Sequence, residues 1–273
     1  DLSTELYQTF LDPARQYSCA FFRKPSDTLE QAQKNKMAII AKKLLLKKGM
    51  RVLEIGSGWG GLALSLHREY GASVLGITLS EEQLKYAREK ARAAGAGKAV
   101  EFRLMDYREV EGTFDRVVSV GMFEHVGRAN YAAFFRQVER RLAPDGVALL
   151  HTIGRADGPG VTDLWTLKYI FPGGYAPALS EFVGGIEKAG LYITDLEVWR
   201  LHYARTLEAW RRRCFQNRKK IEALYDTRFF RMWDFYLSSA ECAFRNLGHV
   251  VFQIQLAKRQ IAVPLTRDYL FKK

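Results

Sequence analysis

The sequence predicts an α/β fold in which helices cover both faces of a doubly wound, parallel sheet. Between residues 51 and 153, short apolar runs alternate with amphipathic stretches: RVLEI, ASVLGITL, AVEFRLM, FDRVVSVGM and GVALLHTI. Runs of this kind are typical of strands buried on both faces, and parallel neighbours need helical crossovers between them. A glycine-rich turn, EIGSGWGG, follows the first strand. With 273 residues, 48% of them hydrophobic, the chain can form one large domain.

The elements before the third strand can be assigned in order. Residues 1–48 are predicted to form a helical cap, because TLEQAQKNKMAIIAKKLLLKK places apolar residues at helical spacing with lysines on the opposite face. After the second strand, Ser80 and Gln83 form a capping-box pattern, and Gly95 is a stop signal. A helix is therefore expected between these residues.

The second half of the chain is less regular. GRADGPGVTDLWTLKYIFPGGYAPALS is a loop rich in Gly and Pro, of a length that usually carries function or acts as a lid. LYITDLEVW predicts a strand, a helical stretch covers about residues 203–247, and HVVFQIQLAK predicts the last strand. We therefore expect a larger domain over 49–273, with a helical insertion over about residues 200–248.

The composition indicates an anionic partner. There are 42 Lys and Arg against 30 Asp and Glu, a net charge of +12, which favours nucleic acid or an acidic membrane surface. The sequence has no recognised nucleic-acid motif, so we expect no nucleic-acid partner. RRRCFQNRKK and the lysines of residues 42–48 could contact lipid head groups, although a solvated helix face is the alternative.

Membrane contact is expected to be peripheral, because no apolar run approaches the roughly 20 residues that cross a bilayer. The cysteines Cys19, Cys214 and Cys242 lie far apart, and the start shows no signal-like segment. These features predict a reducing, cytoplasmic location, at the inner face of the membrane.

The glycine-rich turn predicts a cofactor site. Glycines at 56, 58, 60 and 61 let the backbone turn tightly and approach a ligand closely. A dinucleotide site would have an acidic residue at the end of the second strand, but the sequence there is GITLSEEQ. Glu54 before the glycines and Asp106 after the third strand better match an S-adenosylmethionine site. There, carboxylates neutralise the aminoacyl ammonium or bind polar atoms of the adenosine.

VGMFEHVG, residues 120–127, places Glu124 beside His125 among apolar residues. An unpaired carboxylate in apolar surroundings is costly, so Glu124 is a candidate acid/base group that needs a partner. No second histidine or cysteine stands at ligand spacing from His125, so no metal is predicted. We expect His125 to hold the loop.

Six separated segments together resemble the cyclopropane fatty acid synthases and the related mycolic acid cyclopropane synthases. They occur in the family's order over nearly the whole chain: LDPARQYSCAFF, GMRVLEIGSGWGGLA, FDRVVSVGMFEHVG, LLHTIG, YIFPGG and HYARTLEAW. The resemblance implies a Rossmann-like, class I S-adenosylmethionine-dependent methyltransferase. Its sheet should have seven mostly parallel strands, with a helical lid inserted before the last. The implied reaction adds a methylene bridge to cis double bonds of unsaturated phospholipid acyl chains.

The resemblance also implies the site residues. In the family, a bicarbonate ion removes a proton from the carbocation that methyl transfer creates, and the matching residues here are Cys19, Glu124, His151, Ile153 and Tyr203. Cofactor contacts are implied, besides Glu54, for Tyr17, Ser18, Gly56, Gly58, Trp59, Gly60, Thr78, Leu79, Gln83, Asp106, Tyr107 and Val120. Because an anion beside Glu124 is disfavoured, we expect Glu124 to accept from the bicarbonate hydroxyl while His151 and Tyr203 donate.

Two alternatives stay open at this stage. A methyltransferase of the same fold could leave methyl-branched or methylene fatty acids, or methylate a nitrogen or oxygen of a small molecule. The chain could also be a lipid-surface binding protein with a vestigial pocket, although EIGSGWGG together with Glu124, His151 and Tyr203 argues against this. A homodimer is a further possible assembly.

Overall fold

A computed structural model describes residues 2–271 and contains a seven-stranded mixed sheet in the order β3-β2-β1-β4-β5-β7-β6. The strands are β1 (Arg51–Ile55), β2 (Ser73–Thr78), β3 (Val100–Leu104), β4 (Phe114–Val120), β5 (Leu142–Arg155), β6 (Tyr192–Trp199) and β7 (His249–Ala257). β7 runs antiparallel to both β5 and β6, and the pairs among β1 to β5 are parallel. The predicted fold class is confirmed.

Ten α-helices connect and cover these strands within residues 2–271. They are α1 (Thr4–Phe10), α2 (Leu29–Lys43), α3 (Gly61–Tyr70), α4 (Glu81–Ala93), α5 (Tyr131–Arg141), α6 (Leu164–Tyr169), α7 (Leu179–Lys188), α8 (His202–Gln216), α9 (Arg218–Leu224) and α10 (Thr227–Asn246). The predicted start of α4 is confirmed, because the Ser80 hydroxyl accepts a hydrogen bond from the Gln83 amide. Gly95 follows the helix with a φ of 67°, in the left-handed region.

The N-terminal cap differs from the prediction, because residues 11–28 are not helical. Pro13 disfavours a helical conformation for Asp12, and the Asp12 carboxylate accepts hydrogen bonds from the amides of Ala14 (3.0 Å) and Gln16 (2.8 Å). The Gln33 side chain of α2 donates to the Ser18 carbonyl at 3.0 Å. The irregular segment is therefore fixed against α2.

The predicted helical stretch between the last two strands consists of α8, α9 and α10. The side chains of Trp210, Trp233 and Leu237 in these helices pack with Phe10 of α1 in one buried cluster. Separate clusters of apolar side chains involve strands β1, β2 and β4, together with the helices of the α/β core. Between residues 2 and 271, none of the helices combines the length and the apolar character that crossing a bilayer requires.

Two lysines of α2 correct the predicted lysine-rich outer face, since Lys36 and Lys43 are both fully buried. Lys43 Nζ lies 2.5 Å from Glu197 Oε2 and 3.6 Å from Asp195 Oδ1, both on β6. Because α2 is covered on this side by β6, Lys43 forms an interior ion pair. It is therefore withdrawn from the predicted lipid-contacting surface.

Candidate active site

The candidate site lies at the carboxyl ends of the parallel strands, where ligands of open α/β sheets bind. Ile55, Thr78 and Val120 are the last residues of β1, β2 and β4. His151 of β5 stands directly across from Val120, and its carbonyl accepts a hydrogen bond from the Gly121 amide at 2.9 Å. The predicted groups at the ends of β1 and β4 therefore share one edge of the sheet.

The glycine loop has the backbone that the sequence predicts. Gly56, Gly58 and Gly60 have φ values of 82°, 53° and 80°, which favour glycine. A Cβ at Gly56 would lie 2.7 Å from Met122 Cβ, and one at Gly60 would lie 2.6 Å from the Phe102 ring. At Gly58 no atom lies within 4 Å of that position. The loop thus leaves open space beside Gly58 for a ligand to approach the backbone.

The predicted contacts after β2 and β3 are ordered by local hydrogen bonds. Thr78 Oγ1 donates to Gln83 Oε1 at 3.0 Å, which links the end of β2 to the start of α4. Arg108 holds both oxygens of Asp106, at 2.9 and 2.7 Å. Leu79 has a side chain that is 73% exposed, so it lies at the rim of the site.

Three further cofactor candidates come from the segment after β3, from the glycine loop and from the N-terminal segment. Tyr107 packs edge-on against Phe134, with ring centroids 5.4 Å apart. The Trp59 ring packs against that of Tyr7 in α1, with centroids 4.6 Å apart. Its buried Nε1 has no hydrogen-bond partner among residues 2–271. Ser18 is buried in the irregular segment. These placements are compatible with the predicted contacts, whose roles stay predictions.

Glu54 is a buried carboxyl group at the glycine loop, 3% exposed. The Ala63 amide donates to it, and its Oε2 has no partner within the described part of the chain. Burial raises the pKa of Glu54 to about 8. A buried acceptor with a spare oxygen fits the aminoacyl ammonium of S-adenosylmethionine.

The buried carboxyl group predicts a pH-dependent stability difference between the native chain and Glu54→Gln. The folded pKa near 8 lies above the ordinary 4.5. Between these two pKa values the folded state binds a proton that the unfolded chain releases. The free energy of unfolding of the native chain therefore falls as the pH rises toward 8. We expect Glu54→Gln to gain stability relative to the native chain between about pH 5 and pH 8, measured by urea unfolding. Titrating groups that do not interact with Glu54 cancel in the difference, and a constant difference would contradict the buried, protonated state.

Glu124 and His125 separate, as the sequence predicts. Glu124 is buried, its Oε1 accepts from the Ile153 amide at 2.6 Å, and its Oε2 has no partner in residues 2–271. Burial raises the pKa of Glu124 to about 7. His125 is exposed, and its ring lies edge-on to Phe171 at 6.1 Å. Ile153 thus enters the site through its amide, which orients the Glu124 carboxyl.

His151 is a neutral, oriented imidazole. It is 2% exposed, and burial lowers its pKa well below the ordinary value. The Gln253 side-chain nitrogen lies 3.1 Å from Nδ1, and donation to Nδ1 leaves the proton on Nε2. The Trp199 ring meets the imidazole edge-on at 5.2 Å. Nε2 is therefore the hydrogen-bond donor of His151.

Cys19 and Tyr203 lie near this pair. Both are buried, burial raises the pKa of each group, and the Tyr203 phenol interacts electrostatically with Tyr236, Cys19 and Glu124. The thiol and the phenol are accordingly neutral at physiological pH. The Tyr203 ring packs against Phe244, with centroids 4.7 Å apart.

The sequence reasoning missed an aromatic lining beside Tyr17. The Tyr17 hydroxyl lies 3.0 Å from the Tyr236 hydroxyl, and its ring stacks on Trp210 at 5.2 Å. Trp233 meets Tyr236 at 5.1 Å. The spacing of Trp233, Tyr236 and Leu237 indicates a buried helix face, but it does not distinguish packing from a site.

The sequence reasoning also missed Gln253 on β7 and Lys36 on α2. Lys36 follows Ala32 by four positions and precedes Ile40 by four, so it lies on the apolar stripe of α2. Its position on that stripe was the one signal in the sequence that Lys36 is buried. In the described residues, no group of three His, Cys, Asp or Glu side chains could hold a metal ion.

The fold and the site define a class I methyltransferase that uses S-adenosylmethionine. The glycine loop, the acidic groups at the ends of β1 and β3 and the strand order all belong to that class. The sequence model of the mycolic acid cyclopropane synthetase family matches residues 1–254. The chain belongs to this family.

Individual relatives agree with this assignment. The chain is 44% identical over 256 residues to the cyclopropane-fatty-acyl-phospholipid synthase of Escherichia coli strain K12, covering 92% of this chain and 65% of that protein. It is 39% identical over 284 residues to a probable fatty acid methyltransferase of Pseudomonas putida, covering 100% of this chain and 72% of the relative.

A solved structure supports the cofactor assignment. It is that of mycolic acid cyclopropane synthase CmaA1 complexed with SAH and CTAB. The TM-score is 0.88 with 30% identity, and the match covers 93% of this chain and 94% of that one.

Proposed function

We propose that this chain adds a methylene bridge to the cis double bond of unsaturated phospholipid acyl chains and so forms cyclopropane fatty acids. The observation that carries the proposal is the buried Glu124 carboxyl, with one oxygen fixed by the Ile153 amide and the other without a partner among residues 2–271. The names of the E. coli and P. putida relatives support a fatty-acyl substrate.

The residues would act by positioning, by excluding water and by stabilising charge. When bound, S-adenosylmethionine supplies an electrophilic methyl group. An alkene is a poor nucleophile, so the site must hold the double bond in line with that methyl and keep water out. The faces of Tyr17, Trp210 and Tyr236 offer a lining that can stabilise a positive charge on the acyl chain.

Ring closure needs a base for one proton of the new methyl group. We propose that the site holds bicarbonate for this step. The spare Glu124 Oε2 would accept from the bicarbonate hydroxyl, and His151 Nε2 and the Tyr203 hydroxyl would donate to its other oxygens. His151 and Tyr203 are neutral donors, and Glu124, whose pKa burial raises to about 7, is only partly ionised at neutral pH, which reduces the repulsion between two anions.

We further propose peripheral contact with an anionic membrane around α6. Val161 and Leu164 are 87% and 83% exposed. Phe235 of α10 is also exposed, and its ring packs against that of Trp165, with centroids 4.7 Å apart. An exposed apolar patch of this kind is typical of an interaction surface. The chain's net charge of +12 favours anionic lipid, at about 1 kcal/mol per cation near the surface.

The basic run RRRCFQNRKK offers fewer free cations for the proposed membrane contact than its sequence predicts. Arg211, Arg213 and Arg218 pair with carboxylates of the chain. Arg212, Lys219 and Lys220 are exposed, so these three are the cations of the run that the proposal retains.

Lipid analysis of a host that lacks the activity tests the proposed function. Expression should add one methylene unit to unsaturated acyl chains, and the product should resist mild hydrogenation, as a ring does. A product of the same mass that takes up hydrogen is a branched alkene or a methylene fatty acid, which would replace the ring-forming function by the alternative methyltransferase activity. Unaltered lipids in the presence of soluble, cofactor-binding protein would contradict both.

A further inference from the structure

Lys36 is a buried cation without a direct counter-ion. Its side chain is fully buried on α2, and Nζ donates to Ser18 Oγ at 2.6 Å. That is the one hydrogen bond that Lys36 makes within residues 2–271, and no carboxylate of that range lies within 4.0 Å of Nζ. An ammonium group has three donors. Two are thus unpaired in the interior, which is costly unless a ligand completes the set.

The surroundings of Lys36 belong to both halves of the site. Lys36 lies close enough to Asp12, Cys19 and Glu54 for electrostatic interaction with each group, and the charge of Lys36 acts on His151. Ser18, which accepts from Nζ, is one of the predicted cofactor contacts. Lys36 is therefore close to residues of both predicted sets, those for the cofactor and those for the base.

Within residues 2–271 no acid pairs directly with this cation, although the charge of Asp12 acts on it from a distance. The Asp12 carboxylate is occupied by two backbone amides, those of Ala14 and Gln16. Burial raises the pKa of Glu54 to about 8, so at neutral pH this carboxyl is largely protonated. The pocket around Lys36 consequently favours an anionic ligand.

We propose that Lys36 is an anion-binding residue of the active site, and that its Nζ binds a planar oxyanion with the geometry of a carboxylate. The proposal rests on the proposed function for the identity of the anion. Two sources share this chemistry: the carboxylate of the aminoacyl end of the cofactor, and bicarbonate. In either case Lys36 supplies the positive charge and the two unpaired donors that the anion needs.

Lys36→Met tests the proposal, because it keeps the length of the side chain and removes the charge. Binding of S-adenosylhomocysteine and of 5′-methylthioadenosine, which lacks the aminoacyl group, is measured by titration calorimetry. If the anion is the cofactor carboxylate, we expect roughly tenfold or greater loss of affinity for S-adenosylhomocysteine and none for 5′-methylthioadenosine. If it is bicarbonate, we expect both affinities to hold and the bicarbonate concentration for half-maximal rate to rise by a similar factor.

Lys34→Met is the matched control, because Lys34 is an exposed lysine of the same helix. It should match the native chain in every measurement. If Lys36→Met does not fold, as judged by circular dichroism, Lys36→Gln replaces it, since glutamine keeps a hydrogen-bond donor without the charge. Unchanged affinities and unchanged bicarbonate dependence in a folded variant would overturn the proposal. If the native chain makes no ring but Lys36→Met still loses cofactor affinity, the proposed function fails and the anion site stands.

Discussion

Glu124→Gln is expected to lower the turnover number for ring formation by about 10²- to 10⁴-fold, the range typical of losing general acid/base catalysis, because the bicarbonate base would lose the group that holds its hydroxyl. The amide is nearly the same size, and its oxygen can still accept from the Ile153 amide, which now holds Glu124 Oε1 at 2.6 Å. What the amide loses is the titratable oxygen that has no partner within residues 2–271. The fold and the cofactor affinity should therefore survive while the reaction does not.

The measurement is the rate of lipid methylation beside the affinity for S-adenosylhomocysteine. Glu187→Gln makes the same chemical change at an exposed position on α7 and should leave both unaltered. If Glu124→Gln lowers cofactor affinity as much as turnover, Glu124 has a structural role and the proposed base site is wrong.

Gly61→Ala is expected to damage both stability and cofactor binding. A Cβ at this position would lie 2.0 Å from the Ala14 carbonyl oxygen, which belongs to the backbone and cannot rotate away. Either α3 or the irregular segment must move. Overpacking of this kind typically costs about 1–3 kcal/mol of unfolding free energy. Because the segment continues into Tyr17, Ser18 and Cys19, we also expect at least a tenfold loss of affinity for S-adenosylhomocysteine.

Gly184→Ala provides the matched control for this change. Gly184 lies in α7, and no atom lies within 4 Å of its added Cβ. Alanine there should raise the free energy of unfolding by up to about 1 kcal/mol, because it restricts the unfolded chain and favours the helix. If Gly61→Ala binds the cofactor as the native chain does, contact between α3 and the irregular segment does not position the site.

The α/β core was predictable because apolar runs and turn residues are local signals. The five runs between residues 51 and 153 correspond to β1 through β5, and the Ser80 cap and the glycine at 95 bound α4 as predicted. The segment at 11–28 was not predictable from periodicity. Its conformation depends on the Asp12 carboxylate, which substitutes for helical hydrogen bonds at the amides of Ala14 and Gln16.

The buried lysines show a second limit of sequence patterns. Polar character alone assigns a lysine to the outside of a helix, yet Lys43 is fully buried, and so is Lys36, which lies on the apolar stripe of α2. Their burial depends on partners distant in sequence, such as Glu197 for Lys43. In the same way, the pairing of Tyr17 with Tyr236 depends on chain topology, which local composition does not encode.

The site residues were named by resemblance to a family, and the structure places them without testing their roles. Glu124 is the residue for which physical reasoning and resemblance coincide. Its burial and its partnerless oxygen within residues 2–271 match what the sequence suggested about a carboxyl group in apolar surroundings. Cys19 and Tyr203 look like ordinary packing residues when each is considered alone.

One measurement tests the central claim most directly. The purified chain is incubated with S-adenosylmethionine carrying a trideuterated methyl group and with vesicles of a cis-unsaturated, anionic phospholipid, and the acyl chains are analysed by mass spectrometry. The account predicts a product that keeps two of the three deuterons and resists hydrogenation, because the third leaves as the proton removed at ring closure. A product that keeps all three deuterons, or no transfer to lipid by folded protein that binds the cofactor, would contradict it.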